Sequence, residues 1–183
     1  MENFPIGKYN IIYLDPPWSY RDKANAGKRG VSYKYDLMSM EDICNLPIQD
    51  IADDNCCLFM WATMPLLEEI FVWNPFAFWG FKYKTNAFTW VKLNKKKPTW
   101  FWSMGNWTRS NAELCLLATR GKPVRQSARV HSIIMHPVME HSRKPPIVRD
   151  EIVKLCGDLP RIELFSREKV EGWDYWGNEV DKF

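Results

Sequence analysis

Apolar positions along this chain fall in short runs bounded by Pro, Gly and Asn. Tyr9–Leu14 (YNIIYL) is continuous, β-branched and aromatic, the pattern of a strand buried on both faces. Asp15-Pro16-Pro17 ends it, because proline has no N–H to give a sheet. Ser39-Met40-Glu41-Asp42 has the spacing of a capping box and predicts a short helix. Cys56–Ala62 (CCLFMWA) reads as a second buried strand. Leu66 to Phe78 reads as a helix with Leu67, Ile70 and Phe71 on its apolar face; Asn74-Pro75 should kink or break it, and Gly80 should stop the remainder. Thr85–Val91 and Glu113–Thr119 are two further strands. Pro145-Pro146 opens a helix whose apolar face is Ile147, Val148, Ile152 and Leu155 and which ends at Gly157. Arg161–Phe165 (RIELF) is the last predicted strand. Lys92–Arg109 and Lys122–Ser142 read as long irregular connections.

Buried strands alternating with helices predict an α/β fold, three-layered, with a mostly parallel sheet. Ligands of such sheets bind beyond the carboxyl ends of strands, which points to the residues just after Leu14 and just after Phe165. A chain of 183 residues fits one domain. Hydrophobic residues at 46% and charged residues at 26% exclude intrinsic disorder. The 15% aromatic content is more than a core of this size needs. A net charge of +3 does not by itself imply a polyanionic partner, so local clustering carries that question.

The five cysteines form no C-x-x-C, which argues against a disulfide framework or a zinc site and for reduced thiols. The three histidines, His131, His136 and His141, have neither helical nor strand spacing for one metal, so no metal is expected. Met1 to Lys8 lacks a signal-peptide pattern, and no apolar stretch approaches the ~20 residues of a membrane span. A cytoplasmic protein without membrane contact is the expectation.

Asp15-Pro16-Pro17-Trp18 carries the candidate chemistry. As a bare D-P-P it reads as a strand-ending turn; an aromatic directly after it favours a site. An exocyclic amine on an aromatic base is a poor nucleophile because its lone pair is delocalised into the ring. Methylating it calls for acceptors aimed at its N–H groups. The Asp15 carboxylate is one. A proline-held backbone carbonyl is a second, and Trp18 offers a ring on which a base can stack. Such groups favour the cationic tetrahedral nitrogen of the transition state.

Here the sequence resembles the MT-A70 family of S-adenosylmethionine-dependent adenine N(6) methyltransferases, above all its short prokaryotic and phage members. The resemblance runs over nearly the whole chain: YNIIYLDPPW at Tyr9–Trp18, YDLMSMEDI at Tyr35–Ile43, CLFMWA at Cys57–Ala62, ELCLLATRG ending at Gly121, HSRKP at His141–Pro145 and RIELFSREKVEGWDYWGNE at Arg161–Glu179. It implies a Rossmann-like methyltransferase with permuted motif order, the catalytic DPPW first and the cofactor-feeding strand RIELF last. It implies that Asp15 contacts the target amine near the transferred methyl, that Pro16 contributes its carbonyl, and that Pro17 and Trp18 complete the catalytic motif, Trp18 shaping the base pocket. Lys144 would bind the cofactor's methionine carboxylate and Arg167 would line its ribose. Asn178 and Glu179 would hydrogen-bond the ribose hydroxyls, and Lys169 stands where some relatives carry His. No G-x-G-x-x-G is present.

The Lys92–Arg109 stretch (KLNKKKPTWFWSMGNWTR) interleaves Lys95, Lys96, Lys97 and Arg109 with Trp100 and Trp102, a composition suited to nucleic acid, where lysines meet phosphates and rings stack on bases. The alternative is a solvated lysine run whose tryptophans pack on the domain or on a second subunit. Arg120–Lys144 is a second basic stretch, and Lys23–Arg29 reads as a mobile loop able to close over substrate. The expected function is methylation of adenine in DNA, the base being flipped out of its stack, with a monomeric or homodimeric enzyme. The rivals are the same chemistry on RNA, cytosine N(4) methylation, and a non-catalytic nucleic-acid-binding subunit.

Overall fold

The computed structural model describes residues 4–19, 37–105, 107–140 and 143–180. The Lys23–Arg29 loop and His141 lie outside these residues. Seven strands form one sheet in the order β5-β3-β4-β2-β1-β6-β7. They are β1 (Tyr9–Leu14), β2 (Ala52–Ala62), β3 (Lys82–Leu93), β4 (Ala112–Arg120), β5 (Ile133–Pro137), β6 (Arg161–Leu164) and β7 (Asp174–Trp176). Only β4 runs against its neighbours β2 and β3, and every other pairing is parallel.

β1 shows why such strands read as unbroken apolar runs. Ile12 and Leu14 join one buried cluster, and Ile11 and Tyr13 join the other. Side chains alternate across a strand, so both faces of the sheet must be covered. The first face packs on α1 (Met40–Cys44), α2 (Ile48–Ile51), α3 (Leu67–Trp73) and α4 (Pro75–Phe78) through Ile43, Ile48, Ile70 and Phe76. The second packs on α5 (Ile147–Cys156) through Val148, Ile152 and Cys156. Helix, sheet and helix make the three expected layers.

The punctuation acts locally as the residue types require. Ser39 and Asp42 form a reciprocal capping box on α1. Asn74 takes the left-handed conformation at φ 51°, closing α3 and capping α4 through Ala77 N–H. Gly80 follows at φ 74°. Three expectations change. Phe71 is exposed, so α3 buries Ile70 as its one fully covered anchor. On α5, Ile147 points outward and Arg149 is buried in its place. The stretch 122–142 is not wholly irregular, because β5 pairs along β3 within it.

Strand register brings the carboxyl ends together. Leu14 lies beside Met60 of β2 and Leu164 of β6, and Leu93 lies beside Pro137 of β5. β4 starts at this same edge, with Ala112 opposite Val91. Asp15, the β3–β4 connection, the segment after β5 and the segment after β6 therefore all emerge at one edge of the sheet.

Candidate active site

Asp15 follows β1 on the α5 side of the sheet, continuing the alternation of Ile11 and Tyr13. Lys144 arrives from the segment between β5 and α5, and its Nζ donates to Asp15 Oδ2 at 2.7 Å. Two residues predicted to act on different parts of the reaction thus touch each other. The Lys144 ammonium also lies 3.3 Å from Glu113 Oε2 at the start of β4 and 5.6 Å above the Trp61 ring. Glu113 Oε1 is in turn 2.5 Å from Lys92 Nζ, at the end of β3. Burial alone would lower the Lys144 pKa, but the Asp15 and Glu113 carboxylates outweigh it and raise it well above the ordinary lysine value. Burial would raise Glu113, but Lys144 and Lys92 hold it below the usual carboxylate range.

The prolines order the turn after Asp15. Pro16 C=O accepts from Trp18 N–H at 2.9 Å, and Pro17 C=O from Met38 N–H at 2.9 Å. A carbonyl has two lone pairs, so Pro16 O keeps capacity for a second donor. Trp18 differs from expectation. It is 5% exposed, sits in the cluster on the opposite face, and donates Nε1–H to Trp61 C=O at 3.2 Å. Its ring packs in the core behind the site and presents no open face for a base.

The second predicted group assembles where β6 and β7 end. Phe165 has φ 59°, a left-handed conformation that costs a bulky residue of order 1–3 kcal/mol. Ser166 N–H donates to Trp176 C=O at 3.0 Å, tying the two strand ends. A Cβ on Gly177 would lie 2.8 Å from Ser166 O and 2.9 Å from Ser166 N, so only glycine permits this approach. The result brings Arg167 Nε to 3.3 Å from Glu179 Oε2. Asn178 is exposed beside them, and Lys169 lies exposed, 5.6 Å from the Tyr175 ring centre. Glu168 turns away from Arg167, to Arg143 and to Arg149, which also grips Glu163 at 2.7 Å. Burial raises the Glu163 carboxyl, Arg149 works against this, and Glu168 and Asp15 add to it.

The β3–β4 connection extends the hairpin beyond the sheet. Leu93 bridges Trp100, and Ser103 N–H donates to Ser110 C=O at 2.9 Å. Lys96, Lys97, Trp100, Trp102 and Arg109 are exposed along it, with Trp100 at 52% and Trp102 at 50%. Lys95 pairs with Glu140 at 2.5 Å, and Arg109 donates to Trp102 C=O. The basic and aromatic side chains therefore stand at the same edge as Asp15. Sequence reasoning missed Lys92 and Glu113. Nothing local marks them, since each looks like an ordinary strand-end charge and their partnership exists only across β3 and β4.

The chain is 34% identical over 194 residues to the type II methyltransferase M.MunI of Mycoplasma sp., covering 96% of this chain and 79% of that protein. It is 30% identical to the human N(6)-adenine-specific methyltransferase METTL4, covering 96% of this chain and 38% of that protein. It is 26% identical to the N6-methyladenosine RNA methyltransferase MTA1 of Cryphonectria parasitica, covering 96% of this chain and 52% of that protein. The chain thus spans less than two thirds of the latter two. The MT-A70 family model matches residues 9–179, from the first residue of β1 to the Glu179 that meets Arg167. With every converging strand end inside that match, the chain belongs to the MT-A70 family, as a short member of the prokaryotic kind.

Proposed function

We propose that this protein transfers a methyl group from S-adenosylmethionine to the exocyclic N6 of adenine in DNA. The observation that carries the reading is the Asp15 carboxylate at the carboxyl end of β1, gripped at Oδ2 by Lys144 and followed by the Pro16 carbonyl. The donor set suits this cofactor: a buried ammonium beside a carboxylate matches a ligand carrying both a carboxylate and a sulfonium. Lys144 would hold the carboxylate, Arg167 would line the ribose, and Asn178 and Glu179 would accept from the ribose hydroxyls. When bound, S-adenosylmethionine supplies a methyl group activated by the adjacent positive sulfur.

The chain's own part is to make a weak nucleophile reactive. Asp15 accepts from one amine N–H and the Pro16 carbonyl from the other, which turns the nitrogen lone pair out of conjugation. Lys144 occupies one carboxylate oxygen, and a carboxylate has about four acceptor sites, so Oδ1 serves the amine. As the N–C bond would form and the sulfonium S–C bond break to leave a neutral thioether, the nitrogen would become cationic; Asp15 would stabilise it, and the nitrogen would then release its extra proton to solvent. No covalent enzyme intermediate is needed. The exposed lysines and tryptophans of the β3–β4 hairpin would hold phosphates and bases beside the site.

DNA is favoured over RNA by the similarity to M.MunI, a type II methyltransferase and the relative that this chain covers most fully among those compared. Labelled S-adenosylmethionine, separate DNA and RNA pools and nucleoside mass analysis test the assignment. N6-methyldeoxyadenosine is the expected product. Methylated cytosine, or label in RNA alone, would overturn the substrate assignment, and no label in either would overturn the activity.

A further inference from the structure

Four side chains alternate in sign along the carboxyl edge of the sheet. Lys92 of β3 bonds Glu113 of β4 at 2.5 Å, Glu113 lies 3.3 Å from Lys144, and Lys144 bonds Asp15 at 2.7 Å. The ammonium groups sit over indole rings, Lys92 at 5.0 Å from the Trp90 centre and Lys144 at 5.6 Å from that of Trp61. The inner pair is the most enclosed, Glu113 at 14% and Lys144 at 12% exposed. Two cations and two anions leave the row neutral.

We propose that Glu113 is a positioning residue that keeps Lys144 charged and in place independently of Asp15, leaving Asp15 free to turn its oxygens toward an amine. This role rests on the methyl-transfer reading for what Asp15 does, but the electrostatic arrangement does not. If Asp15 were its only anion, a buried ammonium would follow that carboxylate or lose its proton once the carboxylate engaged another group. Glu113 is a second anchor. Lys92 takes the shorter of the two Glu113 bonds, so Glu113 holds Lys144 loosely and Lys144 leans toward Asp15. Neither Lys92 nor Glu113 bonds the Asp15 carboxylate.

The groups facing Lys144 define what removal of Glu113 should do. They include Asp15 after β1, the Trp61 ring of β2, and Glu113 and the buried Cys115 thiol of β4. Lys92 of β3 acts through Glu113, and Asp15 in turn acts on Glu163 of β6. Arg143, next in sequence, is engaged by Glu168. Glu113→Gln therefore removes the carboxylate that lies between Lys92 and Lys144, and the proton on Lys144 becomes easier to lose. Glu113→Gln with Lys92→Met restores neutrality without restoring the carboxylate.

NMR titration of protein labelled with 13C at lysine Cε, free of cofactor and nucleic acid, reads this directly. The expected result is a Lys144 midpoint lowered in Glu113→Gln by at least about one pH unit, a tenfold loss of proton affinity. Glu113→Asp should return it toward wild type, whereas the Glu113→Gln/Lys92→Met pair, which still lacks the carboxylate, should leave it lowered. An unchanged Lys144 midpoint in folded Glu113→Gln overturns the inference. If Glu113→Gln does not fold, the neutral double variant carries the test. Folding with a lowered Lys144 midpoint supports the inference, and a wild-type midpoint or renewed failure to fold overturns it. The kinetic arm adds an alkaline loss of kcat in Glu113→Gln that Glu113→Asp lacks. Its absence beside a shifted midpoint overturns the positioning role and leaves the methyltransferase reading standing. A wild type that methylates neither DNA nor RNA sinks that reading and the positioning role with it, while the titration still judges the charge row.

Discussion

A single carboxylate at a strand end does little unless its charge is held in the right state and direction. Asp15 meets that condition through Lys144, and Lys144 through Glu113. The arrangement makes Lys144 both structural and functional. Lys144→Ala would leave two enclosed carboxylates without their shared cation, a loss of about 3–5 kcal/mol when a buried pair is broken. Differential scanning fluorimetry should then register a drop of roughly 6–20 °C at about 2–4 °C per kcal/mol for a chain of this size. Calorimetry with S-adenosylhomocysteine at a temperature where the variant remains folded should also register about 10- to 150-fold weaker binding, the value of a charge-assisted hydrogen bond. A stable variant with unchanged affinity would contradict both roles. The residue scale was only partly legible in the sequence. Asp15 stood out because a carboxylate and two prolines end an apolar strand, whereas Glu113 acquires meaning only when β4 delivers it to residues from three other segments. Trp18 was visible as a motif residue, but burial decides whether a ring faces core or solvent, and the motif does not encode that.

Among the elements, those with strong local chemistry followed the sequence closely. β1 spans Tyr9–Leu14 as its apolar run predicts, and the Asn74-Pro75 break and Gly157 stop fall where backbone geometry requires them. β5 and β7 were missed because each is a short edge strand of mostly exposed or half-covered residues, with Ile134 of β5 the one buried position between them. Their pairing comes from the neighbouring strand's backbone. The β6–β7 junction yields a sharp expectation. Gly177→Ala places a methyl against the Ser166 backbone, so the strand ends must part. Cofactor affinity should fall well beyond tenfold while far-ultraviolet circular dichroism stays near wild type. Wild-type affinity would show that this junction is not part of the cofactor site. The β3–β4 hairpin yields another. Replacing Lys95, Lys96 and Lys97 by Ala should make the salt dependence of nucleic-acid binding shallower by up to about two to three log units per log unit of salt. Because Lys95 is already paired with Glu140, a change nearer two is expected. Fluorescence anisotropy at several salt concentrations reads the slope. An unchanged slope with an altered oligomeric state in Trp100→Ala would assign the hairpin to a subunit contact instead.

For the whole molecule, the charge row links stability to pH. The Glu113 pKa is depressed on folding, so its contribution is present above the unfolded carboxylate value of about 4.3 and is lost as pH falls through the folded value. The Lys144 pKa is raised, so its contribution is full below the unfolded lysine value and is lost only as pH rises through the folded one. Glu163 acts oppositely to Glu113, favouring folding as it protonates in acid. Glu113→Gln should therefore lose less stability than wild type between about pH 5 and pH 3, although it is less stable at neutral pH. Urea unfolding at each pH measures this, and parallel pH curves would contradict the assigned shift. The three-layer plan was legible because both faces of β1 are apolar. The meeting of the segments after Leu14 and Phe165 at the carboxyl edge was legible too, whereas the arrival of the β3–β4 connection there depends on β4 reversing between β2 and β3.

The central claim is that the Asp15 carboxylate accepts from the amine as the methyl group moves. Asp15→Asn keeps the size and position of the side chain and removes its charge, so single-turnover kinetics with a DNA substrate, at cofactor concentrations shown by calorimetry to saturate the variant, isolates the step. The account predicts that the methyl-transfer rate falls by about 10²–10³-fold, the scale of losing one charge-stabilising group in a transition state, with the folded state retained. A rate within a few-fold of wild type would contradict it.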